Sequence, residues 1–341
     1  MDIGFDGGFF ATKAVAGASK DEEVTFPSFA VPPVESLMSL NGHETVIIQS
    51  ERTGTLLVGR EAVKKTLAGA RDEAASWIQG KPYLAMFYRA LSDLTAAKGA
   101  TVNLVTGLPL ADFQRDKDTL RMILEGSHTF NQQGRYRQTL TVESVRVVPQ
   151  AWGAVLYSLF DDKGRVADGD LLHERVAVID VGGRTVNYLG VDGLSDIPAQ
   201  SRGTDRGAWN VMRRVRKFFE ANYPDQNKLQ DHQVMGMILD GEFYDAGERV
   251  DLTPITGPIL DEIGDEIVST ATQYWGARAA THRRVFVIGG GAHLWGDRIR
   301  EAFRQAVVFD EPEMVNARGF YRFASYIAHQ LLVGNSEVRD G

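Results

Sequence analysis

The 341-residue chain contains no cysteine. That absence excludes a disulfide framework, thiolate metal sites and iron–sulfur chemistry, and it fits a reducing compartment. No apolar run approaches the roughly 20 residues a membrane span needs. The N-terminus, with Asp2 and Asp6, reads as a strand and not as a basic-then-apolar signal peptide. A cytoplasmic protein without membrane association is the expectation. Positive charge is also short: 37 Lys and Arg against 45 Asp and Glu leave a formal net charge of −8. The whole molecule would repel a DNA backbone, so direct DNA binding is not expected.

Several familiar chemistries are missing too. There is no G-x-x-x-x-G-K-[ST] loop, so the P-loop solution for nucleotides is unavailable. There is no G-x-G-x-x-G, so a Rossmann dinucleotide site is unsupported. The seven histidines show no paired metal-ligand spacing, and no solenoid period is present.

Glycine, at 35 residues, is what the chain has in informative places. Val176-Ala-Val-Ile-Asp180-Val-Gly182-Gly183-Arg184-Thr185-Val-Asn187 reads as a buried run, a small-residue turn around one carboxylate, and a second run. Bare amides in such a turn form an anion-binding concavity. A carboxylate beside an anion site makes sense when a divalent cation sits between them. The start of the chain repeats the statement: Ile3-Gly-Phe5-Asp6-Gly7-Gly8-Phe9-Phe10-Ala-Thr12-Lys13. Either copy alone is an ordinary hairpin with a turn aspartate. Two copies half a chain apart suggest two related lobes facing one metal-nucleotide. A third cluster, Val285-Phe-Val-Ile288-Gly289-Gly290-Gly291, is another buried strand ending in a flexible turn.

These residues resemble the actin, heat-shock chaperone and sugar-kinase ATPase superfamily, whose two phosphate loops and adenosine loop fall in this order. Further segments resemble its bacterial and archaeal actin-like branch, which includes the plasmid-segregating ParM (StbA) proteins. They are Asp6-x-Gly8-x3-Thr12-Lys13, Phe26-Pro27-Ser28, Val58-Gly59-Arg60-Glu61-Ala62, Thr106-Gly107-Leu108-Pro109, Val148-Pro149-Gln150-Ala151 and Asn316-Ala317-Arg318-Gly319. Each is weak alone; their joint order, over nearly the whole chain, is strong. The resemblance implies an α/β, two-lobed actin-like fold (a duplicated ribonuclease H-like fold) with a nucleotide cleft between the lobes. One lobe is expected from 1–165 plus 314–341, with a small subdomain inserted at about 33–100, and the other from 166–313.

Patterning along the chain agrees with α/β. Strands are expected around the first turn, over 12–16, 24–31, 45–49, 55–58 and 101–108, and 127–148 is expected as a hairpin followed by a strand over 142–148. Helices are expected over 61–70, 81–98, 111–125, 151–160, 208–222, 228–239, 257–280, 294–305 and 317–332. The stripe Leu84, Phe87, Tyr88 and Leu91 reads as core. The acidic crowd Asp161, Asp162, Asp168, Asp170 and Glu174 lacks EF-hand spacing and reads as a solvated loop. The basic run Arg213-Arg214-Val-Arg216-Lys217 reads as a solvated face or a filament contact before a DNA site.

By resemblance, Asp6 and Asp180 hold Mg²⁺, mainly through the waters that ion is reluctant to shed. Lys13 places a point charge on the phosphates, and Gly7, Gly8, Gly182, Gly183 and Arg184 surround them. Thr12 and Thr185 are further candidates, each equally well explained as a β-branched strand residue. Gln150 stands where actin-like proteins carry the residue that positions the attacking water, and Asn187 where actin carries a water-ordering histidine. Asparagine is a poor proton acceptor, so slow hydrolysis is expected. Gly289, Gly290 and Gly291 correspond to the adenosine loop, with Gly203 and Gly207 on the opposite wall. Phe9 departs from actin, which has a phosphate-contacting serine there.

The resemblance implies an ATPase, using Mg²⁺ and ATP with GTP possible, that assembles head-to-tail with itself into filaments. Segregation of plasmid DNA through a small DNA-binding adaptor follows from the ParM likeness. A small-molecule kinase of the same superfamily is the alternative, but it needs a carboxylate base where this chain has Gln150. A nucleotide-binding scaffold is another.

Overall fold

The computed structural model describes residues 1–33, 45–65, 77–95, 99–229 and 231–337. The chain opens with strands β1 (Asp2–Gly7), β2 (Ala11–Val15), β3 (Glu23–Pro27), β4 (Ala30–Val31), β5 (Ile47–Ser50) and β6 (Gly54–Val58). Helices α1 (Arg60–Lys65) and α2 (Lys81–Leu94) follow, then β7 (Thr101–Leu108), α3 (Leu110–Leu124), β8 (Gly126–Gln132), β9 (Gln138–Pro149) and α4 (Trp152–Leu159). Among the described residues these strands form one sheet in the order β3-β2-β1-β7-β9-β8-β5-β6-β4. The stripe on α2 is core, as expected: Leu84, Phe87, Tyr88 and Leu91 are all buried against this sheet.

A second sheet begins with β10 (Arg175–Val181), β11 (Val186–Asp192), β12 (Ser195–Asp196) and β13 (Arg202–Thr204). Then come α5 (Trp209–Asn222), α6 (Asp231–Asp240), the hairpin β14 (Glu242–Asp245) and β15 (Glu248–Asp251), and α7 (Thr253–Trp275). The chain continues through β16 (Arg284–Ile288), α8 (Ala292–Ala302), β17 (Ala306–Val308) and α9 (Val315–Glu337). The strand order is β12-β11-β10-β16-β17, with β13 also paired to β11.

The two sheets share one plan. β1 pairs antiparallel with β2 and parallel with β7, and β10 pairs antiparallel with β11 and parallel with β16. Their registers put Asp6 opposite Lys13 and Asp180 opposite Asn187. The internal repeat read from two short motifs therefore extends to strand pairing.

β10 is apolar on both faces because both are covered. Ala177, Ile179 and Val181 pack with α5, α7 and α8, while Val176 and Val178 face a core that also holds Val105 of β7, Val155 of α4 and Phe320 of α9. That second core joins the two sheets. Burying a side chain such as Phe320 contributes roughly 1.5–3 kcal/mol, so the union rests on packing as well as on connectivity.

Local differences from expectation have physical causes. The strand expected over 142–148 is not separate: it is the second arm of the β8–β9 hairpin, running unbroken to Pro149. α7 starts earlier than expected because a proline suits the first turn of a helix. It ends at Gly276, whose φ of +54 favours glycine, and continues as 3-10 turns to Thr281. The pair β14–β15 and the short β17 were not expected. Residues 66–70 and 96–98 of two expected helices lie outside the described residues. Among the described residues no helix is long and apolar enough to cross a membrane.

The acidic loop after α4 works internally. Asp161 accepts the backbone N–H groups of Lys163 and Arg165, and Asp168 and Glu174 both bind the Arg284 guanidinium. The basic run on α5 is likewise engaged: Arg214 pairs with Glu262, and Arg216 with Asp231 and the carbonyls of Asn227 and Leu229.

Candidate functional site

Both Asp-Gly hairpins end at one cavity of about 570 Å³, lined by residues of both sheets. Cross-strand partners on one face of an antiparallel pair lie close together, and each aspartate meets its partner that way. Lys13 Nζ lies 3.4 Å from Asp6 Oδ2, and Asn187 Nδ2 donates to Asp180 Oδ2 at 3.4 Å. Gln150, at the corner between β9 and α4, donates from Nε2 to Asp6 Oδ1 at 2.5 Å. Asn316, near the start of α9, donates to Asp180 Oδ2 at 3.2 Å.

Asp6 and Asp180 are only 2% and 3% exposed. Burial, and after it the charge of Asp6, push the Asp180 carboxyl up to about 6. Two buried carboxylates at one cavity, one of them resisting ionisation, are suited to a cation. The donor set is hard oxygen, which fits Mg²⁺. Among the described residues no group of three or more His, Cys or acidic side chains could hold a metal. An ion here would rest on Asp6 and Asp180 and keep most of its waters.

The glycine turns are fixed by their carbonyls. Ser28 donates from Oγ to Gly8 O at 2.5 Å and from its backbone N–H to Phe10 O at 2.9 Å. In the second turn, Gly182 O, Gly183 O and Arg184 O accept the N–H groups of Ala208, Trp209 and Gly207. The first amides of a helix lack partners within it, so the start of α5 and the turn satisfy each other.

The expected site residues largely converge. Asp6, Gly7, Gly8, Lys13, Gln150, Asp180, Gly182, Gly183, Arg184, Thr185, Asn187, Gly289, Gly290 and Gly291 all line the cavity. Thr12 and Gly207 do not. Strand alternation sends Lys13 to the cavity and Thr12 to the opposite face. There Thr12 is fully buried, its hydroxyl 2.9 Å from Ser28 Oγ and 3.6 Å from Met86 Sδ. Gly207 lies beneath the second turn, where a Cβ would come within 2.5 Å of Gly182 O. Gly203 also stands behind the wall, beside Ala111 and Asn187. Asn187 is committed on both ends of its amide, because Oδ1 accepts the Leu110 N–H at 3.0 Å.

Sequence reasoning missed an aromatic group at this cavity. Phe9 meets Trp77 and Trp209 with ring centroids 6.3 and 5.7 Å away, and Phe10 meets Trp209 at 5.8 Å. Phe9 and Phe10 thus reach from the first sheet to the start of α5 in the second. Burial raises the Tyr83 phenol beside them. Two adjacent aromatics in a glycine turn, where side chains are usually small, were the available signal. Asn316 gave only a weak one, as part of a quoted motif without a role.

Residues 4–153 match the model of the actin like proteins N terminal domain. Residues 178–301 match that of the archaeal actin homologue MreB-like C-terminal domain. An archaeal actin homolog of Thermoplasma volcanium is 24% identical, covering 93% of this chain and 97% of its own. A 15-stranded ParM filament structure from Clostridium botulinum superimposes with a TM-score of 0.79 at 22% identity, over 95% of this chain and 98% of that one. An archaeal actin homolog in complex with ADP gives a TM-score of 0.75 at 18% identity, over 95% and 99%.

Proposed function

With actin-like domains in its N-terminal and C-terminal halves, the chain is an actin-like protein, and we propose that it is a nucleotide-dependent filament protein that hydrolyses a Mg²⁺-bound nucleoside triphosphate. One observation carries the reading: Asp6 and Asp180, at matching positions of two similar hairpins, face a single cavity between the sheets. Residues 1–165 with 314–341 would then form one lobe, and 166–313 the other.

The residues divide the work as phosphoryl transfer to water requires, chiefly by placement and charge. The amides of Gly7, Gly8 and Gly183 would enclose the phosphates, while the Gly182 N–H closes its own turn on Thr185 O at 2.9 Å, and Lys13 supplies a mobile positive charge. Bound Mg²⁺ supplies neutralisation of phosphate charge. Gln150, held by its Nε2 on Asp6, keeps Oε1 for an attacking water. Asn187 is fixed by Leu110 and Asp180 and adds no strong base. Such a site hydrolyses slowly.

Head-to-tail contacts that do not close into a ring propagate as filaments. We propose that the triphosphate state favours that contact and hydrolysis weakens it. The ParM filament relative supports self-assembly; a DNA-segregating role in the cytoplasm, with the cargo reached through a separate adaptor, belongs to the same proposal.

Sedimentation tests the reading. The protein is spun with Mg-ATP, Mg-GTP, a non-hydrolysable analogue, a diphosphate and no nucleotide, beside Asp180→Ala. Pelleting of wild type with triphosphates alone, and a soluble variant, is expected. A protein that binds nucleotide yet never pellets over a wide range of concentration and salt would refute the filament role.

A further inference from the structure

On the reading that this cavity takes a nucleotide, we infer that Glu313 reads the base and makes the site prefer guanine to adenine. Four side chains from the second half of the chain line the cavity: Met235 and Leu239 of α6, Leu294 of α8 and Glu313 in the turn before α9. Three are apolar and suited to the faces of a flat base. Glu313 is the one polar group among them.

Its geometry fixes what it can recognise. His293 Nε2 lies 2.8 Å from Glu313 Oε2, and among the described residues Oε1 has no hydrogen-bond partner. An ionised carboxylate only accepts hydrogen bonds, with room for about two at each oxygen. Guanine presents two adjacent donors, N1–H and the N2 amine, which match two carboxylate oxygens side by side. Adenine presents the N6 amine beside N1, and N1 is itself an acceptor. A carboxylate facing that edge gains one hydrogen bond and meets a lone pair. The donor beside this carboxylate, His293 Nε2, is already engaged by Glu313 Oε2 and offers adenine N1 nothing.

Charge-assisted hydrogen bonds are the strong ones, and one such bond corresponds to about tenfold or more in affinity. The same logic makes Glu313→Gln informative, because its amide offers one donor and one acceptor and can serve either base.

Calorimetric titration with GDP, IDP and ADP at fixed Mg²⁺ tests the inference on the full chain. IDP keeps N1–H and lacks the N2 amine. Wild type is expected to bind GDP about tenfold more tightly than ADP, with IDP between them. Glu313→Gln is expected to bring GDP and ADP within about threefold. Equal or tighter binding of ADP by wild type overturns the inference without any variant. So does a guanine preference that survives Glu313→Gln unchanged. If none of the three diphosphates binds, the nucleotide reading itself falls and takes this inference with it. That result is distinct from binding that ignores the base.

Discussion

The ring of Phe10 fills the space that a side chain at Gly183 would need: a Cβ there would overlap Cδ2 of the ring. The two glycine turns, one from each sheet, therefore touch directly, with Trp209 against the same ring. Gly183 is required by a neighbour 173 positions away and not only by its own turn.

Gly183→Ala is accordingly expected to destabilise the protein by about 1–3 kcal/mol, the usual range for an overpacked site. Gly290→Ala is the control, since a Cβ there meets nothing within 4 Å; surface-like changes of that kind stay within about 0.5 kcal/mol. Urea midpoints measure both. Combining Gly183→Ala with Phe10→Leu should cost less than the two separately, because neighbours in contact are not additive. A Gly183→Ala protein as stable as wild type would remove the contact from the account.

The hairpins were legible because a buried run, a small-residue turn and a carboxylate leave a strong local mark. Gln150 and Lys13 were named through the family resemblance, and both stand at the cavity beside Asp6. Thr12 was misplaced although the information was present: Lys13 facing the cavity obliges its neighbour in the strand to face away. Other features depend on partners distant in sequence. Asn316 reaches Asp180 across 136 positions, and Ser28 clamps a turn 20 positions behind it. Short edge strands such as β12 and β17 carry too few residues to show a period.

Asp180 gives a pH prediction. Its folded-state carboxyl is raised from 3.8 to about 6 by burial first and Asp6 second. Between those values the folded chain holds a proton that the unfolded chain has lost. This group's contribution is therefore present below about pH 4 and declines as pH rises through 6. Asp180→Asn cannot ionise, so its stability relative to wild type should improve between pH 4 and 7.5 by about 3 kcal/mol. Chemical denaturation of the nucleotide-free protein at both pH values reads this directly. A pH-independent difference would show that Asp180 ionises freely in the fold.

His282 runs the other way. Burial first, and Arg175 second, lower its imidazole from 6.5 to about 4. It is 3% exposed, with Nε2 3.1 Å from Gln200 Oε1 and its ring 5.2 Å from that of Trp275. Here the unfolded chain binds the extra proton, so stability is full above about pH 6.5 and falls as pH drops toward 4. The loss should reach about 3 kcal/mol. His282→Gln should flatten that acid limb, whatever it does to stability at pH 8. Retention of the full acid limb in the variant would assign it to other groups.

Gln150 bears on the reaction itself. Its Nε2 is engaged by Asp6 Oδ1, so truncation removes both a possible water acceptor and a donor to a buried carboxylate. Gln150→Ala should leave Mg-nucleotide binding within a few-fold and slow phosphate release by about a hundredfold, the lower range for a group acting on the attacking water. Gln150→Glu separates the two roles. A second carboxylate beside Asp6 disfavours ionisation of the pair, so this variant should bind Mg-nucleotide more weakly while retaining an acceptor for water. Single-turnover phosphate release, with binding measured on the same samples, distinguishes the outcomes. Wild-type hydrolysis by Gln150→Ala would take Gln150 out of the reaction. Asn187 could not simply replace it, because both ends of its amide are already occupied by Leu110 and Asp180.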